Sequence, residues 1–235
     1  MNVRVLIVPL CIILAGSPVF AEDKTELKTQ KDKLSYAIGM DMGGSLKRNS
    51  IDVDIDALVK GLKDALAGGK MMMTEQEQRE TLMAFQKEFQ VKQQEKMKAL
   101  AETNKKEGEA FLAENKKKKG VKTLPSGLQY KIITEGKGAS PKETDTVTVN
   151  YRGTLIDGTE FDSSYKRNEP ATFPVKGVIR GWTEALQLMK EGAKWQLFIP
   201  SDLAYGERGA GGTIGPNATL IFEVELLKIA PKENK

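Results

Sequence analysis

The sequence predicts an α+β chain: an all-helical amino-terminal half ends in one long connecting helix, and a strand-rich domain follows, with its sheet covered on one face by a single short helix. Two observations carry this. Up to about Lys119 the apolar residues recur at helical intervals, and no proline stands between Thr74 and Pro125. After Pro125-Ser126-Gly127 the pattern changes to period two: Leu128, Tyr130 and Ile132 alternate with polar residues, as do Val147, Val149 and Tyr151. The 235 residues suffice for one large or two ordinary domains. The boundaries read as a signal peptide over 1–21, a helical dimerisation domain over 22–73, a connecting helix over 74–120 and a β domain over 121–235.

The leader is legible from its parts. Arg4 is a basic n-region, Val5 to Ala15 is almost uninterrupted apolar sequence, and Val19-Phe20-Ala21 offers a cleavage site. The apolar run is too short for a spanning helix. Cys11 lies within it and is read as part of the h-region, which leaves the mature chain without cysteine and dependent on its core for stability. There is no histidine, which excludes zinc clusters, His general bases and Ser-His-Asp triads; neither metal nor cofactor is expected. The net charge of +4 is interspersed except at Lys116-Lys117-Lys118-Lys119. In an exported protein that run reads as cations in the last turn of a helix, closed by Gly120, and not as a nucleic-acid site.

The first helix is expected from Thr25 to about Lys47, with Leu27, Leu34, Ile38 and Met42 on its apolar side. Asp54 caps a second, carrying Ile55, Leu58, Val59, Leu62 and Leu66 and stopped by Gly68-Gly69. Thr74 and Glu77 form a capping box for a third. Continued to Lys119, it would hold about 45 residues and span roughly 65 to 70 Å at ~1.5 Å per residue. Beyond Val91 its apolar residues thin out, as in a helix that bridges domains through solvent. Gly108 is expected to soften it. The first two helices are too small to form a sufficient core alone. A second copy of the chain is the expected cover, through residues 22–90, with Met40, Met42 and Met71-Met72-Met73 as adaptable surface.

In the second half Asp157-Gly158 turns a hairpin between Tyr151–Leu155 and Glu160–Ser163. Further strands are expected at Ala171–Val175, Trp195–Pro200 and Thr219–Ile229, and a helix only at Thr183–Lys190. Val178-Ile179-Arg180-Gly181-Trp182 leads into that helix. Trp182, Phe161, Phe173 and Tyr205 occupy unusual places: a helix entrance, a strand after a hairpin, a short strand and a loop. The loop Gly206 to Pro216 is too glycine-rich to fill a core and reads as a flap over a pocket.

Tyr151-Arg152-Gly153-Thr154-Leu155, Gly158-Thr159-Glu160-Phe161-Asp162-Ser163-Ser164, Val178-Ile179-Arg180-Gly181-Trp182, Ile199-Pro200, Ala204-Tyr205-Gly206 and Ala218 to Leu227 stand in the order and near the spacing of FKBP-type peptidyl-prolyl cis-trans isomerases. The stretch from about Leu128 to Ile229 resembles that family, whose antiparallel sheet wraps on one short helix. The helical half, with Leu34-Ser35-Tyr36-Ala37-Ile38-Gly39, is similar to the dimerising domain of the macrophage infectivity potentiator subgroup.

The resemblance implies a proline-binding pocket made of Tyr151, Phe161, Asp162, Phe173, Val178, Ile179, Trp182, Tyr205 and Phe222, with Trp182 as its floor. It implies that the Ile179 N–H and the Tyr205 hydroxyl hold substrate carbonyls and that Arg167 orders the Tyr151 and Asp162 side. Asp162 has two readings. It accepts a hydrogen bond from Tyr205 or acts electrostatically on the carbonyl carbon, or it anchors Arg167 and nearby backbone. Ala171, Ala210 and Thr213 are smaller than the residues often found at such positions, which implies a more open rim.

The expected activity is acceleration of X–Pro isomerisation in envelope or secreted proteins, a reaction that needs no nucleophile, metal or general base. The expected partners are unfolded or proline-containing polypeptides, a second copy of the chain, and macrolides of the FK506/rapamycin type. No membrane span is expected. The location is read as periplasmic, outer-membrane-associated or secreted. A non-catalytic chaperone or peptide-binding module on the same fold is the competing reading.

Overall fold

A computed structural model of the chain describes residues 26–230, so the leader read over 1–21 and Thr25, the first residue of the expected first helix, lie outside the described residues. The chain separates into two compact units, one ending at Thr74 and one beginning at Glu75.

The first unit holds two helices. α1 (Gln30–Arg48) starts later than the apolar spacing suggests, because Thr29 and Asp32 form a reciprocal capping box there. The Asp32 N–H donates to Thr29 Oγ1 and the Thr29 N–H to Asp32 Oδ2, each at 3.1 Å, so two orphan donors are satisfied. α2 (Ile55–Ala67) begins where Asp54 accepts a hydrogen bond from the Ala57 N–H at 2.9 Å, and ends at Gly68 in the left-handed region. Neither helix has a buried residue. Leu34, Ile38, Met40, Ile55 and Leu62 are all exposed.

The second unit opens with α3 (Glu75–Asn115), whose 41 residues span about 60 Å at ~1.5 Å each. It stops short of the four lysines, which form the turn after it and not its last turn. The N–H groups of Lys116, Lys117 and Lys118 donate to the carbonyls of Leu112, Glu114 and Asn115. The helix ends there because Asn115 is buried and its Nδ2 donates to Gln129 Oε1 at 3.0 Å.

The last turns of α3 also lie on the sheet. Phe111 packs on Phe198 with ring centroids 6.0 Å apart, and Gln129 Nε2 donates to the Leu112 carbonyl at 2.9 Å. Gly108 therefore has another role than the softening read from the sequence. It is buried, and a Cβ on it would lie 2.3 Å from Thr219 Oγ1, so the glycine permits a close approach.

The sheet consists of β1 (Val121–Thr123), β2 (Gln129–Thr134), β3 (Thr146–Leu155), β4 (Glu160–Ser163), β5 (Ala171–Pro174), β6 (Lys194–Ile199) and β7 (Leu220–Ala230). Its order is β1-β2-β6-β7-β3-β4, with β5 pairing β3, and each pairing is antiparallel. β1 was not legible because three residues cannot display a period. Alternation in the two longest strands puts Val147, Val149 and Tyr151 of β3 and Leu220, Phe222, Val224 and Leu226 of β7 inside.

Two helices are carried by the sheet. α4 (Ser164–Arg167) is a single turn that the sequence did not announce, ended by Asn168 in the left-handed region. α5 (Arg180–Leu188) starts three residues before the expected Thr183, because the Ile179 carbonyl accepts hydrogen bonds from the Trp182 and Thr183 N–H groups at 2.9 and 3.0 Å. Trp182 thus belongs to the first turn. Its buried face, with Ala185 and Leu186, joins Met189 and the inward residues of β3, β6 and β7 in one core.

Leu186 is fully buried at the centre of that core. Leu186→Ala should lower stability by about 2–5 kcal/mol through lost transfer energy plus the cavity left behind. Urea denaturation followed by tryptophan fluorescence checks this, since Trp182 and Trp195 both lie in the second unit.

Candidate active site

One cavity of about 630 Å³ opens on the α5 side of the sheet. It gathers residues far apart in the chain: Tyr151 from β3, Phe161 and Asp162 from β4, Phe173 from β5, Val178 and Ile179 from the entry to α5, Trp182, Tyr205 and Phe222. Each of these sequence-derived candidates lies on the wall. Arg167 does not line the cavity and reaches it through Tyr151 and Asp162.

The aromatic arrangement follows from strand register. Gly153 of β3 faces Phe222 of β7 across the ladder. A Cβ on Gly153 would lie 2.6 Å from the Phe161 ring and 2.7 Å from the Phe222 ring. Its absence lets those rings meet edge to face at 5.4 Å and 81°. Trp182 stands nearly perpendicular to three neighbours: 86° to Tyr151 at 5.3 Å, 82° to Phe222 at 5.2 Å, and 90° to Phe173 at 6.1 Å. The indole is a floor and the other rings are walls.

The polar groups are few and most are already paired. Asp162 accepts hydrogen bonds from the Tyr151 hydroxyl at Oδ2 and from Arg167 Nη1 at Oδ1, and Oδ1 also takes the Ser163 N–H at 2.8 Å. Arg167 Nη2 donates to the Tyr151 hydroxyl at 2.8 Å, closing a triangle, and the guanidinium lies 5.6 Å from the Tyr151 ring centroid. Single-turn α4 sends Arg167 back to this position. Tyr205 is not among the hydrogen-bond partners of Asp162.

Electrostatics hold the triangle in one protonation state. Burial alone would push the Asp162 carboxyl up, but the hydrogen bonds from Tyr151 and Arg167 and the Arg167 charge outweigh it and hold it below the usual range. Burial, then the bond to Asp162, raises the Tyr151 phenol. Bonding to Asp162 and Tyr151 raises Arg167, which stays charged.

Three donors of cavity-lining residues have no partner among the described residues: the buried Trp182 Nε1, the Ile179 N–H and the Tyr205 hydroxyl. Ile179 is the N-cap of α5, and its N–H makes no hydrogen bond among the described residues. It sits at the positive end of the helix, where an incoming carbonyl oxygen is favoured. Tyr205 is a half-exposed residue of the wall, and its hydroxyl also bonds no other described residue.

The roof comes from the glycine-rich loop, through Ala210, Gly211, Thr213 and Ile214. Ala210 and Thr213 therefore sit on the rim, whereas Ala171 of β5 pairs with Val149 of β3, packs on the core and is absent from the wall. Sequence reasoning did not select Ile214, Gly211 or Gly177. Ile214 had a usable signal, being the one large apolar residue in an otherwise small and polar loop. Gly153 had one as well, as a glycine inside an alternating strand.

A family model described as FKBP-type peptidyl-prolyl cis-trans isomerase matches residues 137–227, and one described as the domain amino-terminal to that isomerase matches 31–132. The chain is 49% identical over 229 residues to the outer membrane protein MIP of Legionella longbeachae, covering 97% of this chain and 98% of that protein. It is 50% identical over 220 residues to the peptidyl-prolyl cis-trans isomerase Mip of Coxiella burnetii, covering 94% and 95%. Among solved structures, FkpA from Escherichia coli superimposes with a TM-score of 0.68 at 45% identity, over 88% of this chain and 99% of that one. Matched in both halves and aligned along nearly its whole length with an isomerase of that class, the chain belongs to the FKBP-type peptidyl-prolyl cis-trans isomerases.

Proposed function

We propose that the aromatic cup is the site where this isomerase takes proline, and that catalysis there is non-covalent. Amide resonance opposes rotation with a barrier of ~18–20 kcal/mol, and X–Pro bonds interconvert over roughly tens to hundreds of seconds unaided. The planar amide is the more charge-separated form; the twisted transition state has lost that resonance. A dry aromatic cup therefore disfavours the ground state more than the twisted one, which is differential binding. A thousandfold gain needs only about 4 kcal/mol. The observation that carries the assignment is the perpendicular seating of three rings around Trp182, which leaves a slot for a pyrrolidine ring with free donors at Ile179 and Tyr205 on its rim.

In this reading Trp182 is the floor, and Tyr151, Phe161, Phe173, Val178 and Phe222 are the walls. The Ile179 N–H and the Tyr205 hydroxyl hold the carbonyls on either side of the twisting bond. Asp162 with Arg167 keeps the Tyr151 wall upright. A protease-coupled assay on an Ala-Phe-Pro peptide tests it. Trp182→Ala should lower kcat/KM by about 10- to 100-fold, and Tyr205→Phe by about 3- to 10-fold. A macrolide of the FK506/rapamycin type should compete for the cup. Wild-type rates in both variants would refute the assignment.

The charge state of the triangle sets the pH response. Asp162 has a depressed folded pKa, so its contribution is present above the ordinary carboxylate range and lost as pH falls through the depressed value. Tyr151 has a raised one, so its contribution is present below the ordinary phenol range and lost only as pH rises through the raised value. The triangle keeps one charge state between those ranges, so kcat/KM should be flat from about pH 6 to about pH 8.5. A bell-shaped profile in that window would show a proton-transfer step that the cup does not provide.

We further propose that the chain acts as a homodimer in the cell envelope or outside the cell, on unfolded or proline-containing polypeptides. No described helix is long and apolar enough to cross a membrane. The apolar faces of α1 and α2, uncovered in a single chain, support a second copy as their cover. Light scattering should give twice the mature mass, and Leu34→Asp with Ile38→Asp should halve it. The exposed Met71-Met72-Met73 favours a supplementary holding activity toward unfolded chains.

A further inference from the structure

The loop that roofs the cup is also held from behind. It closes on itself through the paired backbone bonds of Ala210 and Ile214, at 2.8 and 3.0 Å. Behind its tip lies a second cavity of about 240 Å³, walled by Leu100, Asn104 and Glu107 of α3 and by Gly212, Thr213 and Gly215 of the loop. Thr213 lines both cavities, so the flap is the partition between them. A thin, glycine-rich partition with empty space at its back has room to retreat unless its base is fastened.

Two amides fasten that base to the helix. Asn104 Nδ2 donates to the Pro216 carbonyl at 2.8 Å, and Asn217 Nδ2 donates to the Ala101 carbonyl at 3.5 Å. The first is the shorter bond. Packing supports it: a Cβ on Gly215 would fall 2.9 Å from Asn104 Nδ2 and 3.1 Å from the Leu100 side chain. One turn further along α3, Gly108 sits against Thr219, at the point where the loop hands over to β7. The helix thus meets the flap base at two successive turns of one face, Asn104 and Gly108 being spaced as neighbours on a helix.

We propose that Asn104 is a positioning residue for the isomerase, holding the flap base so that Ala210, Gly211, Thr213 and Ile214 stay over the cup. It acts on how firmly the substrate is roofed and on which residues are accepted beside the proline, and touches no reacting atom. This deepens the reading of the cup as the proline site and rests on it.

The test uses the full mature chain and two peptides, with Ala and with Leu before proline. In Asn104→Ala, KM should rise about 3- to 10-fold with kcat within about twofold, and the preference between the peptides should narrow. Asn104→Gln, which keeps the amide donor, should recover part of the loss. Gly108→Ala tests the same brace independently: its methyl collides with Thr219 Oγ1, so KM should rise, and Thr219→Ala added to it should bring KM part of the way back, the Thr219 Cβ remaining at 3.2 Å. Circular dichroism verifies that each variant is folded, and if Asn104→Ala is not, the Gly108 pair decides. Wild-type KM and peptide preference in the folded variants would overturn the proposal. If Trp182→Ala cripples the enzyme while Asn104→Ala and Gly108→Ala do not, only the brace is wrong. If Trp182→Ala is itself harmless, the cup reading fails first.

Discussion

The plane of one indole ring governs most of this structure. Trp182 can serve as a floor only if α5 lies flat on the sheet and its first turn begins at Ile179. The same condition makes Ile179 the N-cap, its N–H outside the helical hydrogen bonds, and sets three rings perpendicular to the indole. Strand alternation supplies the walls without further device, since Tyr151 and Phe222 lie on the inward faces that also form the core. The cup is the open edge of the core, and stability and binding draw on the same aromatic contacts.

Against that apolar background the polar groups divide into two kinds. The Tyr151–Asp162–Arg167 triangle is closed, each member satisfied by the other two, so it confers shape and little reactivity. Ile179, Tyr205 and the Trp182 indole are open, with donors that nothing else in the described chain uses. A site meant to twist a bond without making or breaking one calls for that division: rigid walls whose charged groups are tied to one another, and a few donors kept free for the chain that enters.

How much of this could be read beforehand depended on the length over which a pattern repeats. β3 and β7 were legible because ten or eleven residues show alternation clearly. β1, with three, was not. Motif order located the cup residues because each comes from a different element whose spacing is preserved. The spacing sets the start of α5 three residues late because Gly181 is a poor helix former; hydrogen bonds to the Ile179 carbonyl decide it. Gly108 was misread for a different reason. A glycine in a helix looks the same in sequence whether it bends the helix or admits a neighbour, and only Thr219, over a hundred residues away, separates the two.

The docking of α3 on the sheet has a consequence for how such a chain is divided. The obvious place to cut is the lysine-rich turn before β1, where composition changes. A fragment begun there would lose Phe111 from against Phe198, Asn115 from Gln129 and Asn104 from Pro216. It would keep every residue of the cup and yet expose a patch of sheet that was never surface. A fragment that keeps these contacts begins inside the helix, before Leu100, so its amino-terminal border is a position on a continuous helix and not a linker.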